Sequence, residues 1–238
     1  MDTIQPKYKR VLLKLSGEAL AKGAEGILNF EIIENIAATV KKCREAGVEI
    51  AVLVGAGNIW RGRSGGKMDR VRADNMGMLA TTINALAISD TFEQCGIPTT
   101  VMTAVEMQRF ADAYTTRGAV KALEEGRVVI FGCGSGCPYF STDTAAVLRG
   151  AEIGADMILM AKNIDGVYSA DPKKDPSAVR YDEITYAEVL EKQLHALDLS
   201  ATTFCLENNL RVYAFALEDP ENIYRVVMGE RVGTEMHV

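Results

Sequence analysis

Residues 10–20 read RVLLKLSGEAL, and the fold turns on how this stretch is read. Arg10–Leu15 is an apolar run of strand length interrupted by one cation, Lys14, and followed at once by Ser16-Gly17. A strand that is apolar at nearly every position is buried on both faces, as in the parallel sheets of α/β proteins. Lys14 then has two readings. It snorkels from an edge strand with its ammonium group in water, or it stands at the carboxyl end of a buried strand to meet an anion. Ser16-Gly17 reads as a turn.

The rest of the chain repeats the pattern. Strand candidates are 10–15, 49–54, 97–102, 127–132, 156–161 and 211–216. Helix-period segments lie between them at 30–46, 70–95, 117–125, 142–154, 184–207 (broken) and 220–228. Such alternation predicts an α/β fold with right-handed crossovers. Ligands in such folds bind beyond the carboxyl ends of the strands. The most loop-like stretch, DGVYSADPKKDPSAVRYDE (165–183), divides a first lobe from a second. The expectation is one domain over 1–238, with lobes 1–160 and 161–238.

Composition narrows the function. The chain has 238 residues, 48% hydrophobic and 24% charged, with a net charge of −6. That balance argues against a general nucleic-acid surface, which needs a basic face. The start, MDTIQPKYKR, lacks the apolar core of a signal peptide, and the longest uncharged stretch (75–89) is too short to span a bilayer. Five cysteines without a CxxC pair, and only two histidines, fit reduced thiols in the cytoplasm and disfavour a zinc site.

Four glycine-bearing turns follow strand candidates: Ser16-Gly17, Gly55-Ala56-Gly57-Asn58, Gly132-Cys133-Gly134-Ser135-Gly136 and Asp165-Gly166. Gathered at one sheet edge, they offer free N–H groups that suit phosphate. The P-loop pattern is absent; GRSGGKM (62–68) has the wrong spacing and Met68 where a hydroxyl is needed. No GxGxxG opens a helix after the first strand, and the protein-kinase HRD and DFG elements and the GxSxG elbow are missing. In GCGSGCPYFSTDTAAVLRG (132–150), Thr142 reads as an N-cap and Asp143 as a first-turn acid, with the preceding loop facing a nucleotide. Tyr139 and Phe140 read equally as a wall beside a base or as core. Arg61 reads as a phosphate fork or a solvated charge, and Asp74 as a ribose ligand or an ion pair with Arg70 or Arg72.

KLSGEAL (14–20), GAGNIWRG (55–62), DNMGMLAT (74–81), STDTAAVLRG (141–150), DGVYSADPKKDP (165–176) and RVVMGERVGT (225–234) together resemble the bacterial uridylate kinases, a branch of the amino acid kinase superfamily. The resemblance runs from about residue 8 to the C-terminus. It implies a three-layer αβα sandwich with a mostly parallel sheet, and transfer of a phosphoryl group from ATP with Mg²⁺ to UMP. It also implies a cytoplasmic homohexamer activated by GTP and inhibited by UTP. By motif, Lys14, Leu15, Ser16, Gly17, Gly57 and Arg61 would meet the ATP phosphates, and Asn163, Tyr168 and Asp171 the ATP nucleoside. Gly55, Ala56, Asp74, Ser135, Gly136, Cys137, Pro138, Tyr139, Phe140, Ser141 and Thr142 would hold UMP. Lys14, Arg61 and Asp143 would be catalytic, with Asp143 orienting Lys14 or magnesium-bound water, and Asp198 is a further acid at a motif position.

Three departures stand out. Ala56 replaces a family glycine, which a negative φ would tolerate. Cys137 replaces an amide. The family lysine two residues before the DGV aspartate is Asn163 here, which leaves the second cation open between Lys162 and Asn163. Alternatives to UMP kinase are a small-acid kinase acting on aspartate, acetylglutamate or carbamate, or a uridine-nucleotide sensor without turnover.

Overall fold

The computed structural model describes residues 5–61 and 67–238. Residues 62–66, which carry Gly62 of GAGNIWRG and most of GRSGGKM, lie outside the described residues. Among those described, the strands are β1 (Arg10–Leu15), β2 (Glu49–Val54), β3 (Thr99–Thr103), β4 (Asp112–Ala113), β5 (Val128–Gly132), β6 (Met157–Lys162), β7 (Glu183–Thr185), β8 (Val212–Ala216) and β9 (Gly233–His237). The helices are α1 (Gly17–Leu20), α2 (Phe30–Glu45), α3 (Arg70–Gln94), α4 (Thr116–Glu124), α5 (Thr142–Glu152), α6 (Tyr186–Glu191), α7 (Leu199–Glu207) and α8 (Glu221–Val227).

All nine strands join one sheet in the order β4-β3-β5-β2-β1-β6-β8-β9-β7, so β1 is central rather than an edge strand. Every neighbouring pair is parallel except β8 and β9. The strand alternation divides the core. Val11, Leu13 and Leu15 face a layer that includes α2, α3 and α8. Leu12 faces the opposite layer, which includes α4, α5, α6 and α7. The result is the expected α/β, three-layer αβα architecture. No helix among the described residues is long and apolar enough to cross a membrane.

Three local readings are corrected. Ser16-Gly17 is not a turn: Ser16 caps α1, its Oγ accepting from the Ala19 N–H at 3.1 Å. Thr142 is not an N-cap: Ser141 caps α5, and Thr142 is its first residue. A serine before a glycine or a threonine satisfies both readings, and which hydroxyl turns back to the backbone is decided only by the chain's direction there. The broken helix at 184–207 resolves into β7, then α6 with a full capping box at Thr185 and Glu188, then α7. The structure also adds β4, β7 and β9 to the six strands expected.

The antiparallel β8–β9 pairing depends on close backbone approach. A Cβ at Gly233 would stand 2.1 Å from the Ala214 carbonyl oxygen. Gly233→Ala is expected to cost about 3 kcal/mol, through overpacking that a backbone atom cannot relieve by rotation. Urea unfolding tests this; a loss below about 1 kcal/mol would mean that the pairing shifts freely.

Candidate active site

The sheet order places the carboxyl ends of β5, β2, β1 and β6 side by side, so the four glycine-bearing segments that follow them share one edge. β1 is where the strand order reverses, the position at which open α/β sheets bind ligands. Side-chain alternation then delivers the charges. Lys14 continues the face of Leu12, and Lys162, the last residue of β6, continues the face of Ile158 and Met160. Both lysines therefore project toward the layer that holds α5, whose first turn carries Asp143.

Lys14 Nζ lies 2.8 Å from Asp143 Oδ1, and Lys162 Nζ lies 3.3 Å from Asp143 Oδ2. Lys162 also donates to the Ala196 carbonyl at 2.7 Å. The Lys14 side chain is only 12% exposed, which rules out snorkelling to bulk water. One carboxylate thus holds two ammonium groups, with a local charge of +1. Burial pushes the Asp143 carboxyl up, but the Lys14 and Lys162 charges and hydrogen bonds more than offset this and hold it below the usual carboxylate range.

Two cavities flank this clamp. One, of about 360 Å³, has Ala56 and Gly57 at its floor, α3 on one wall and the loop after β5 on the other. The other, of about 410 Å³, lies between the 164–172 loop and residues 192–196. Ser141 and Thr142 line the first and Lys162 lines the second, so Asp143 bridges from the residue next to one cavity to a lysine of the other; Lys14 and Asp143 themselves line neither.

The first cavity gathers Ala56, Gly57, Arg61, Asp74, Ser135, Cys137, Phe140, Ser141 and Thr142 from the sequence-predicted set. Gly55, Gly136, Pro138 and Tyr139 do not line it. Gly57 and Arg61, assigned to the ATP phosphates, stand on this side, and Arg61 is ion-paired with Glu18. Ala56 is buried and absent from the described non-glycine residues with positive φ, so its methyl group is accommodated. Asp74 Oδ2 accepts from Arg70 Nε at 2.7 Å and from the Tyr139 N–H at 2.8 Å, tying α3 to the opposite wall. Tyr139 and Phe140 are exposed, not core.

Tyr168 and Asp171 line the second cavity; Asn163 is exposed and does not. Asp165 anchors this side, accepting from Tyr168 Oη at 2.8 Å and from Arg180 Nη1 at 2.9 Å. Burial raises the Asp165 carboxyl, and those two bonds bring it below its ordinary value. The Leu15 side chain is fully buried, which leaves only its backbone for a ligand. Gly17 presses against the β2 turn, where a Cβ would meet Asn58 Oδ1 at 2.3 Å and both Gly55 O and Gly57 N at 2.8 Å.

Of the two candidates for the second cation, the structure brings Lys162 to Asp143 and leaves Asn163 exposed, as the shared face of Leu12, Lys14, Met160 and Lys162 dictates. Sequence reasoning missed two supports, Arg149 and Asn84. Arg149 is almost fully buried, stacks 3.9 Å from the Tyr114 ring centroid, pairs with Glu152, and donates long bonds to the Gly134 and Ser135 carbonyls. Asn84, fully buried on α3, bonds the Gly55 carbonyl. Asp198 caps α7 and also accepts from the Ser141 and Thr144 hydroxyls, so one carboxylate joins the starts of α5 and α7.

Parallel strands that end in glycine turns around two ammonium groups suit phosphate-bearing ligands held end to end. The comparisons agree with that class. A family model described as the amino acid kinase family matches residues 9–215. The chain belongs to the amino acid kinase family. Among solved structures it is similar to UMP kinase from Bacillus anthracis, at 36% identity and TM-score 0.93 over 97% of this chain and 96% of that one. It is similar to UMP kinase from Ureaplasma parvum at 35% identity and TM-score 0.92, over 98% and 100%. Uridylate kinase from Archaeoglobus fulgidus matches at 29% identity and TM-score 0.73, over 95% and 99%.

The clamp makes a pH-resolved prediction. The Asp143 pKa is depressed on folding, so its stabilising contribution is complete above the unfolded value, about 4, and is lost as pH falls through the lower folded value. Asp143→Asn leaves two ammonium groups without their counter-charge and is expected to cost about 3 kcal/mol near neutrality. The stability gap between wild type and variant, read by urea unfolding, should narrow below about pH 4. A gap that stays constant into acid would contradict the assignment.

Proposed function

We infer that the protein is a UMP kinase, transferring the γ-phosphoryl group of ATP to UMP to give ADP and UDP in pyrimidine nucleotide synthesis. The observation that carries this reading is the Lys14–Asp143–Lys162 clamp set between two cavities, in a chain similar along nearly its whole length to solved UMP kinases. The acceptor is a phosphate monoester with a second pKa of about 6, mostly dianionic at neutral pH. It needs no general base. It needs relief from repulsion between two polyanions and alignment for in-line transfer. Lys14 and Lys162 supply charge from fixed strand ends, and the Gly17 and Gly57 amides add dipoles. Among the described residues the bonds from Arg70 and Tyr139 both end on Asp74 Oδ2, and Oδ1 is the oxygen that would accept from a ribose hydroxyl of UMP.

Magnesium enters with ATP, held by phosphate oxygens and water. The donor set at the clamp fits this, because both Asp143 oxygens are engaged by lysines. The chain works as one domain, with residues 1–160 serving the acceptor and 161–238 the ATP nucleoside.

A coupled assay of ADP release with UMP, CMP and aspartate tests the reading. Turnover is expected with UMP; turnover with aspartate alone would move the chain to the small-acid kinases, and none at all would make it a sensor. Lys14→Ala should lower kcat about 10- to 150-fold, the scale of one lost charge-assisted contact to phosphate. It should change UMP binding far less. Equal losses in both would place Lys14 at the acceptor.

We propose also that the protein is a cytoplasmic homohexamer with GTP as activator and UTP as inhibitor, as its resemblance implies. Self-association is supported by α3, which is apolar on two sides. Ala85, Ile88 and Phe92 are buried, whereas Met76, Leu79, Ile83 and Leu86, at spacings of three and four, form an exposed stripe. Light scattering should give an oligomer for the wild type and a smaller species for Leu79→Glu with Ile83→Glu. A monomeric wild type at micromolar concentration would refute the assembly.

A further inference from the structure

Asn84 sits in the interior of α3 with no exposed surface, on the side of the helix that faces the core. An amide at such a position is costly unless each of its polar atoms is used. Here the accounting closes. Asn84 Nδ2 donates to the Gly55 carbonyl at 2.7 Å and to Asn58 Oδ1 at 2.8 Å, and Asn84 Oδ1 accepts from Asn58 Nδ2 at 3.1 Å. Asn58 Nδ2 spends its other hydrogen on the Ile27 carbonyl at 2.6 Å. All four amide hydrogens of the pair are committed.

Neither side chain lines the cavity. What the pair touches is the turn after β2, whose Ala56 and Gly57 form the cavity floor. The peptide plane is rigid and trans, so a Gly55 carbonyl held toward Asn84 aims the Ala56 N–H on the opposite edge away from Asn84. Asn58 Oδ1 occupies the space a Cβ at Gly17 would need, so the same pair sets the spacing between the start of α1 and the turn after β2.

We infer that Asn84, acting through Asn58 and the Gly55 carbonyl, is a positioning residue for phosphoryl transfer: it fixes the direction of the floor amides before substrate arrives. This rests on the proposed kinase activity. Preorganised donors act on the transition state more than on ground-state binding. Loss of Asn84 should therefore appear in kcat, with little change in KM.

The test uses the full-length wild type, Asn84→Leu and Asn84→Asp, each checked for fold and oligomeric state. For Asn84→Leu, kcat is expected to fall about 10- to 100-fold, with KM for ATP and UMP within about threefold. Asn84→Asp supplies a readout that a merely structural role would not move. Burial raises the introduced carboxyl's pKa, and its protonated form again presents one donor to the Gly55 carbonyl. The ratio of variant to wild-type kcat should therefore rise as pH falls from about 8 to about 6. Taking the ratio removes the titration of UMP itself. If Asn84→Leu does not fold, the aspartate variant decides alone. A folded Asn84→Leu with kcat within twofold of wild type overturns the inference, as does a rise in KM with kcat unchanged, or a flat pH ratio. A wild type without UMP kinase activity overturns the functional reading first, and the inference falls with it.

Discussion

The site depends on one carboxylate standing between two ammonium groups. Lys14 and Lys162 stand near the ends of strands adjacent in the sheet and point to the same face, where like charges repel. Asp143 offsets that repulsion, and α5 begins beside them with its N-terminal dipole favouring an acid. The clamp is assembled in the folded protein before any ligand arrives. Reorganising charges is then not part of each catalytic cycle.

The walls are tied to this centre by a few multiply used polar groups. Asp74 links α3 to Tyr139 across the first cavity, Asp198 links the starts of α5 and α7, and Arg149 reaches the loop after β5. That loop enters and leaves through left-handed backbone at two non-glycine residues, Cys133 (φ 61°) and Tyr139 (φ 72°). Such conformations cost energy and persist only where surroundings impose them. At Cys133 two contacts impose it: its N–H bonds the Thr81 hydroxyl at 2.8 Å and its Sγ lies 3.3 Å from the Thr82 hydroxyl. At Tyr139 the Asp74 carboxylate does the same work.

Much of the fold was legible because the central strands are continuous apolar runs, and burial on both faces leaves few other readings for RVLLKL or EIAVLV. β9 was not, because GTEMH carries a charge and a histidine, and its partner β8 lies 17 residues upstream in an antiparallel pairing that local pattern does not announce. At the site, glycines and charges at strand ends gave the general location. Motif spacing left the second cation open between Lys162 and Asn163, and strand alternation decides it: residue 162 shares a face with Lys14, and its ammonium group reaches Asp143. Asn84 and Arg149 stayed hidden inside helices. An isolated polar residue in an apolar helix has no local signal for the distant carbonyl it satisfies, and only the fold supplies that carbonyl.

The contact at Gly17 bears on how the molecule moves. With room there for a hydrogen and nothing larger, the start of α1 and the turn after β2 interlock like adjacent gear teeth. A slide of β1 against β2 would drive these backbone atoms into one another, so the base of the cleft resists shear along the strands.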